Sequence, residues 1–126
     1  MTYDKTPIQN ARHLRYNQNE SLRLSSKSGL NYRVFDVKPV EIINDTSDEL
    51  YQELIERIQE NRGAYLALDM TNVKIVDSSG LAKLVKASKT YTEDNGVKLR
   101  LLKTSDYVKE LIHIPRLDEF MEVDEE

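Results

Sequence analysis

The side chains that could carry out chemistry are few in this chain of 126 residues, and they limit the possible reactions. Cysteine is absent, which excludes disulfides, thiol nucleophiles and cysteine-ligated metals. The only histidines are His13 and His113. His113 lies near a predicted helix end, where the helix dipole favours a cation and already accounts for it. The sequence therefore predicts neither a metal site nor a cofactor.

Residues 76–81 read VDSSGL and place two hydroxyls between an acid and a glycine. The stretch lacks the glycine two residues before the serine that a nucleophile elbow carries, and His113 is the only histidine in the folded part that could act as base. No GxxxxGK[ST] or other glycine-rich phosphate loop is present among the four glycines. We therefore expect that the protein is not an enzyme.

The overall composition limits the classes of partner. A net charge of −4 and a pI of about 5.3 provide no general attraction to nucleic acid or to anionic membranes. No apolar run approaches the roughly 18 residues that a membrane span requires, and the N-terminus has no signal-peptide hydrophobic region. We expect a cytoplasmic protein with one domain over residues 21–123, after a flexible polar extension (1–20) and before an acidic tail (124–126).

The elements that position these residues follow from hydrophobic periodicity. Thr46 and Glu49 form a capping-box pattern that predicts the start of a helix, and Gly63 predicts its end. The nearly continuous apolar run 64–70 is typical of a strand covered on both faces. A second helix is predicted over 79–94. Further elements are strands at 97–102 and 120–123, and a helix from Thr104 or Ser105 to before Pro115.

The first part of the domain is predicted to be a hairpin. Leu22 and Leu24 alternate with polar residues, residues 26–29 provide a turn, and the β-branched and aromatic run 32–37 provides the second strand. The sequence VEII at 40–43 either extends the sheet or forms a bend. The later alternation of strands and helices predicts an α/β fold with parallel strands and right-handed crossovers.

The start of the second helix allows two interpretations. Ser78 or Ser79 as N-cap would stabilise the helix by about 1 kcal/mol. Gly80 costs roughly 1 kcal/mol in a helix interior, which makes sense if a phosphoryl group or a partner approaches the backbone closely. A phosphate at Ser78 would carry about −1.5 to −2 charges at a helix terminus that accommodates an anion, beside Asp77. The residues alone leave open an ordinary capped helix and a phosphorylation switch.

The stretch LALDMTNVKIVDSSGLAKLVKA resembles the signature of the STAS domain, and more narrowly that of bacterial anti-sigma factor antagonists. The resemblance extends over residues 21–123. It implies the STAS fold, a mixed, mostly parallel β-sheet of about 4–5 strands flanked by 3–4 helices. The positions that fit are Leu66, Leu68, Asp69, Val73, Val76, Asp77, Ser78, Ser79, Gly80 and Leu81.

The resemblance also implies a mechanism. The unphosphorylated protein binds an anti-sigma factor serine kinase of the histidine-kinase-like ATPase fold and releases its captive. The kinase, with ATP and magnesium, phosphorylates Ser78 and thereby abolishes binding, and a PPM-family phosphatase restores it. Asp77, Ser79, Gly80 and Leu81 are implied to form the partner-binding surface, with Ser79 capping the helix.

One stretch departs from the family pattern, which carries a Gly-Glu-Leu-Asp-like segment before the first helix. Glu41 matches, Val40 and Ile43 replace the glycine and the aspartate, and Asp45 could take over the acid after a small shift. This departure keeps alternatives open. They are a scaffold or adaptor subunit, in a stressosome or a lipid-transport ABC complex, and a partner switch whose output is not a sigma factor.

Overall fold

The computed structural model describes residues 12–113 and 119–124. In these residues the strands are β1 (Leu14–Tyr16), β2 (Tyr32–Val37), β3 (Glu41–Ile42), β4 (Tyr65–Asp69), β5 (Ile75–Val76), β6 (Leu99–Leu102) and β7 (Met121–Val123); the helices are α1 (Gln18–Ser28), α2 (Asn44–Glu60), α3 (Ser78–Asn95) and α4 (Asp106–Ile112). A five-stranded sheet has the order β1-β2-β4-β6-β7, and a separate two-stranded sheet pairs β3 with β5.

The large sheet is covered on both faces, as the apolar run of β4 predicts. Leu66 and Leu68 point into the main core with α2, α3 and α4, whereas Ala67 packs against Leu24 of α1 on the opposite face. Strands β2, β4, β6 and β7 are parallel to one another, and only β1 is antiparallel to its neighbour. The predicted fold class, a mixed and mostly parallel sheet of four to five strands with three to four helices, is confirmed.

The predicted hairpin is wrong, because residues 18–28 form a helix. Asn17 caps its start by accepting the backbone N–H of Glu20, and Gly29 ends it in the left-handed conformation with φ of 76°. Leu24 is buried but Leu22 is 60% exposed, so the alternation of leucines in the sequence did not mark a strand face.

Part of the expected extension belongs to the fold. Residues 1–11 lie outside the described residues, but β1 pairs with β2, and the segment before it is bound to α2. The Glu53 carboxylate accepts the backbone N–H groups of Arg12, His13 and Leu14 at 3.1–3.2 Å. The His13 ring contacts Glu49 at 2.7 Å and, with Arg12, holds the pKa of that carboxyl below its ordinary value. At the other end, the backbone N–H of Asp124, which was assigned to the tail, donates to Leu101.

The predicted capping box at the start of α2 is also wrong. The helix begins at Asn44, and its N-cap residue, Ile43, has no side chain able to accept a hydrogen bond. Glu49 is engaged with His13 instead of reaching back to Thr46. The end of α2, near Gly63, and the extent of α3 agree with the prediction to within a few residues.

Candidate functional site

The small sheet of β3 and β5 positions the loop that opens α3. Glu41 lies opposite Ile75 and Ile42 lies opposite Val76 in a parallel register. The backbone N–H of Asp77 then donates to the Ile42 carbonyl at 3.3 Å. Within VEII, Glu41 and Ile42 therefore form a strand of a second sheet, and this strand holds the start of α3 against the start of α2.

The N-cap of α3 is Asp77, and not Ser78 or Ser79 as the sequence suggested. Asp77 has extended backbone angles, φ −89° and ψ −176°. Its Oδ1 accepts the backbone N–H of Gly80 at 2.8 Å. One carboxylate thus provides the hydrogen bond that was expected from a serine, and the expected capping role of Ser79 is a wrong prediction.

Ser78 and Ser79 are the first two residues of α3, and both are exposed. Within the part of the chain that the structure describes, neither hydroxyl makes a hydrogen bond. Each side chain therefore presents its oxygen to solvent at the positive end of the helix dipole. Such an oxygen is accessible to an enzyme that modifies it, and modification would break no hydrogen bond of the described fold.

Gly80 is buried, and a neighbouring strand explains why a glycine stands there. A Cβ built at this position would lie 2.0 Å from the carbonyl oxygen of Ile42 and 3.0 Å from its Cγ2. The close approach that explains a glycine at this position is thus made by β3, inside the molecule. Leu81 is half-buried and packs on the main core. Of the predicted site, Ser78 and Ser79 are exposed, and Asp77, like Leu81, is half-buried.

Contacts between α2 and α3 show which groups of α2 lie near the serines. Lys83 is 3.3 Å from the Asp48 carboxylate. The ammonium groups of Lys83 and Lys86 each lie 5.1 Å from the ring centroid of Tyr51. Because the two helices begin at the same end, Asp45, one turn before Asp48 and exposed, lies at the end that carries Ser78. Sequence reasoning could not place these groups, since they are more than 30 residues apart.

Three large apolar side chains are exposed near the same loop, and the sequence analysis did not identify them. Val40 is 54% exposed, Ile75 is 44% exposed and Tyr107 is 48% exposed. The backbone N–H of Ile75 donates to the Val40 carbonyl at 3.2 Å. The Tyr107 hydroxyl donates to the Val76 carbonyl at 3.3 Å. In the sequence, Ile75 resembles the buried Val73 and Val76 beside it, so the sequence alone does not show that its side chain is exposed.

Neither a metal-binding cluster nor a membrane-spanning helix is found among residues 12–113 and 119–124. These residues contain no group of three or more His, Asp or Glu side chains placed to hold a metal ion. In the same ranges, no helix has the length and apolar character that crossing a bilayer demands.

Known proteins resemble this chain in sequence pattern and in fold. The family model described as STAS domain matches residues 22–126. A putative anti-sigma factor antagonist from Thermotoga maritima is similar in structure, with a TM-score of 0.59, 16% identity, and coverage of 74% of this chain and 80% of that one. The unphosphorylated anti-sigma factor antagonist SpoIIAA has a TM-score of 0.57 at 17% identity, over 75% of this chain and 81% of that chain.

A membrane transporter contains the same fold as one part of a longer chain. The murine anion transporter Solute Carrier 26 family member A9 has a TM-score of 0.58 and 22% identity. The match covers 75% of this chain but only 16% of the transporter. None of the curated proteins matches this sequence. At these identities the structural neighbours establish the fold.

Proposed function

The chain belongs to the STAS domain family, and on that premise we propose that it is a phosphorylation-switched binding protein of the anti-sigma factor antagonist type. Its unphosphorylated form binds a serine kinase of the histidine-kinase-like ATPase fold that acts as an anti-sigma factor, and so releases the captive of that kinase. Phosphorylation of Ser78 ends the interaction, and a PPM-family phosphatase reverses it. The protein performs no reaction of its own and works in the bacterial cytoplasm as a regulator of transcription.

The observation that carries this proposal is the division of roles between Asp77 and Ser78. Asp77 caps α3, which leaves the Ser78 hydroxyl exposed and without a hydrogen bond in the described fold. A phosphate added there lies at a helix N-terminus, which accommodates an anion, so the fold can survive the modification. The same phosphate, with about −1.5 to −2 charges beside a carboxylate, transforms the surface that a partner meets.

Asp45 is the acid that we assign to the place of the family's missing aspartate. Ile43, which aligns with that aspartate, is the N-cap residue of α2 and carries no acid. Asp45 follows two residues later, in the first turn of α2, and is exposed. Its helix begins beside the start of α3, so its carboxylate can contact a partner that covers Ser78.

A scaffold or adaptor subunit is the second candidate function. The observation that favours it is the occurrence of this fold within a transporter chain. The two candidates differ in what Ser78 does. A scaffold binds its partner whatever the charge at Ser78, whereas a switch loses its partner when that charge appears.

The test begins with phosphorylation of the full chain by a kinase fraction from the host, with ATP and magnesium. One phosphate is expected on Ser78 by intact-mass and peptide mass spectrometry, absent in Ser78→Ala and retained in the matched control Ser79→Ala. Phosphate found only on Ser79 would overturn the assignment.

The switch itself is then measured with the purified kinase. Ser78→Asp is expected to weaken kinase binding by at least tenfold while its unfolding midpoint stays close to that of the wild type. Ser78→Ala is expected to bind constitutively. Equal binding of both variants would favour the scaffold, and a large loss of stability in Ser78→Asp would show that the residue is structural.

A further inference from the structure

A cavity lies beside the C-terminal end of α2, at the opposite end of that helix from Ser78. Its volume is about 310 Å³, and the residues that line it are Tyr16, Arg33, Phe35, Glu60 and Asn61. Helix α2 has 17 residues and therefore extends for roughly 25 Å away from the end that carries Ser78. The volume is within the range of small-molecule sites, and a molecule bound there would not cover Ser78.

Two aromatic rings form the apolar wall of this cavity. Successive side chains of a strand point to opposite faces, so Arg33 and Phe35 lie on the face opposite Val34, which packs with Leu24 of α1. Tyr16 of β1 lies opposite Phe35, and their ring centroids are 5.4 Å apart with an angle of 53° between the planes. The guanidinium of Arg33 is thus placed beside an aromatic surface.

The charge of Arg33 has no acidic partner among the residues that the structure describes. Its Nη1 donates to the Tyr16 hydroxyl, a neutral acceptor, at 3.3 Å. Its Nε is buried and, within the described ranges, has no hydrogen-bond partner. Buried polar groups in proteins almost always have a partner, and an unpaired one indicates a bound ion, ligand or water. The Nε group therefore points to an acceptor that comes from outside the chain.

The acid in the cavity wall, Glu60, is already neutralised. Its carboxylate accepts from Nε and Nη2 of Arg57 at 3.0 and 3.1 Å, and the Arg57 side chain is fully buried, with 1% exposed. The cavity wall therefore keeps the single positive charge of Arg33. One negative charge balances it, whereas a second negative charge on the same ligand would only meet the carboxylate of Glu60.

We propose that this cavity binds a small carboxylic acid with an apolar body. The carboxylate accepts from Arg33, whose planar guanidinium pairs with carboxylates through two parallel hydrogen bonds. The apolar body packs on the rings of Tyr16 and Phe35, which stabilises it by removing apolar surface from water. The inference is independent of the function proposed for Ser78, since no residue of the cavity belongs to that site.

The experiment follows the arginine Nε–H signals and the backbone amide signals of the nitrogen-15-labelled full chain by NMR. The probes are benzoate, phenylpropionate and hexanoate, with uncharged phenylpropionamide and inorganic phosphate as controls. We expect at least one of the three acids to shift the Arg33 Nε–H signal saturably, with phenylpropionamide binding at least tenfold more weakly than phenylpropionate and phosphate more weakly than the best acid.

Two variants identify the cation that holds the carboxylate. Arg33→Gln is expected to weaken binding of the acid at least tenfold, because it removes the charge and the paired donors. Arg62→Gln is the matched control, since Arg62 is exposed beside Asn61 and its loss changes the net charge equally. The control should alter binding by less than twofold. Urea unfolding shows whether both variants are folded, and the Arg33 Nε–H signal of the wild type tests the contact without any substitution.

Four results would overturn the inference. If none of the three acids shifts the Arg33 Nε–H signal at millimolar concentration, water is the partner of that group. Equal binding of phenylpropionate and phenylpropionamide would mean that the charge has no role. Tighter binding of phosphate would assign the cavity to an inorganic anion. An equal loss of binding in Arg33→Gln and Arg62→Gln would show attraction by net charge alone.

Discussion

Replacing Gly80 by alanine tests the packing that positions the candidate site. At an unconstrained helix position this change stabilises a protein by up to about 1 kcal/mol, because alanine is the better helix former. In this fold the new Cβ would lie 2.0 Å from the Ile42 carbonyl oxygen, whereas ordinary contact begins at 3.4 Å. The start of α3 and strand β3 would therefore have to separate by about 1.4 Å (3.4 − 2.0).

Strand β3 cannot move away from Gly80 without losing core packing and a backbone hydrogen bond. Ile42 is fully buried in the main core, and its carbonyl accepts the backbone N–H of Asp77. Adding atoms to a packed core costs about 1–3 kcal/mol, and a clash with backbone is at the upper end of that range. After the gain in helix propensity is subtracted, we expect Gly80→Ala to lower the free energy of unfolding by about 2 kcal/mol or more.

The assay is urea unfolding followed by circular dichroism, analysed with a slope common to all variants. Ala82, exposed on the same helix, provides the control, since Ala82→Gly should lose about 1 kcal/mol through propensity alone. A Gly80→Ala protein as stable as the wild type, or more stable, would refute the reasoning, because it would mean that β3 does not contact Gly80.

The remaining predictions concern the cap and the N-terminal strand. Asp77→Ala removes the cap of α3 and is expected to lower the free energy of unfolding by about 1 kcal/mol. Asp77→Asn, which keeps an oxygen acceptor, should lower it by much less, and Ser79→Ala by less than about 0.5 kcal/mol. An equal loss for Ser79→Ala and Asp77→Ala would show that the serine is the cap. The hydrogen bond from His13, and then the charge of Arg12, hold the pKa of Glu49 below its ordinary 4.5. A lowered carboxyl pKa stabilises the fold above pH 4.5, and this stabilisation is lost as pH falls through the lower folded-state value. In urea titrations the wild type should therefore exceed Glu49→Gln in stability at pH 6 and lose that advantage towards pH 3, and an unchanged difference would contradict the role of Glu49.

Local patterns in the sequence were sufficient for most of the large sheet and for α3. The apolar run at 64–70 and the spacing of Leu84 and Tyr91 on one helical face each predict a buried surface from residues that are close in sequence. The same kind of reasoning failed at α1. That helix buries only Ser21 and Leu24 and contains few apolar residues to mark its buried face, whereas its two termini do carry cap signals. At residues 18–28, where little is buried, the capping residues Asn17 and Gly29 indicate the helix better than the alternation of Leu22 and Leu24 indicates a strand.

The capping residues of α2 and α3 depended on backbone conformation, whereas Ser105, predicted as a possible start of the last helix, is the N-cap of α4. A capping box at Thr46 and Glu49 would require Thr46 to be the N-cap. Because the pairing of β3 with β5 ends just before Asn44, α2 begins at Asn44, two residues earlier than the box requires. Likewise, the loop VDSSGL contains three residues able to cap. Asp77 does so because its hydrogen bond to Ile42 holds it extended, with its carboxylate towards the Gly80 N–H.

The sequence by itself determined the alternation of strands and helices and the family resemblance, and it predicted a site at residues 76–81, because each of these depends on residues that are neighbours along the chain. Only the tertiary structure decided the contacts, the burial and the capping roles of the residues in that candidate site. The reason for Gly80 lies in Ile42, the acid near Ser78 comes from α2, and the apolar surface is assembled from positions 40, 75 and 107. These contacts join segments more than 30 residues apart, and their geometry depends on how the two sheets and the helices pack.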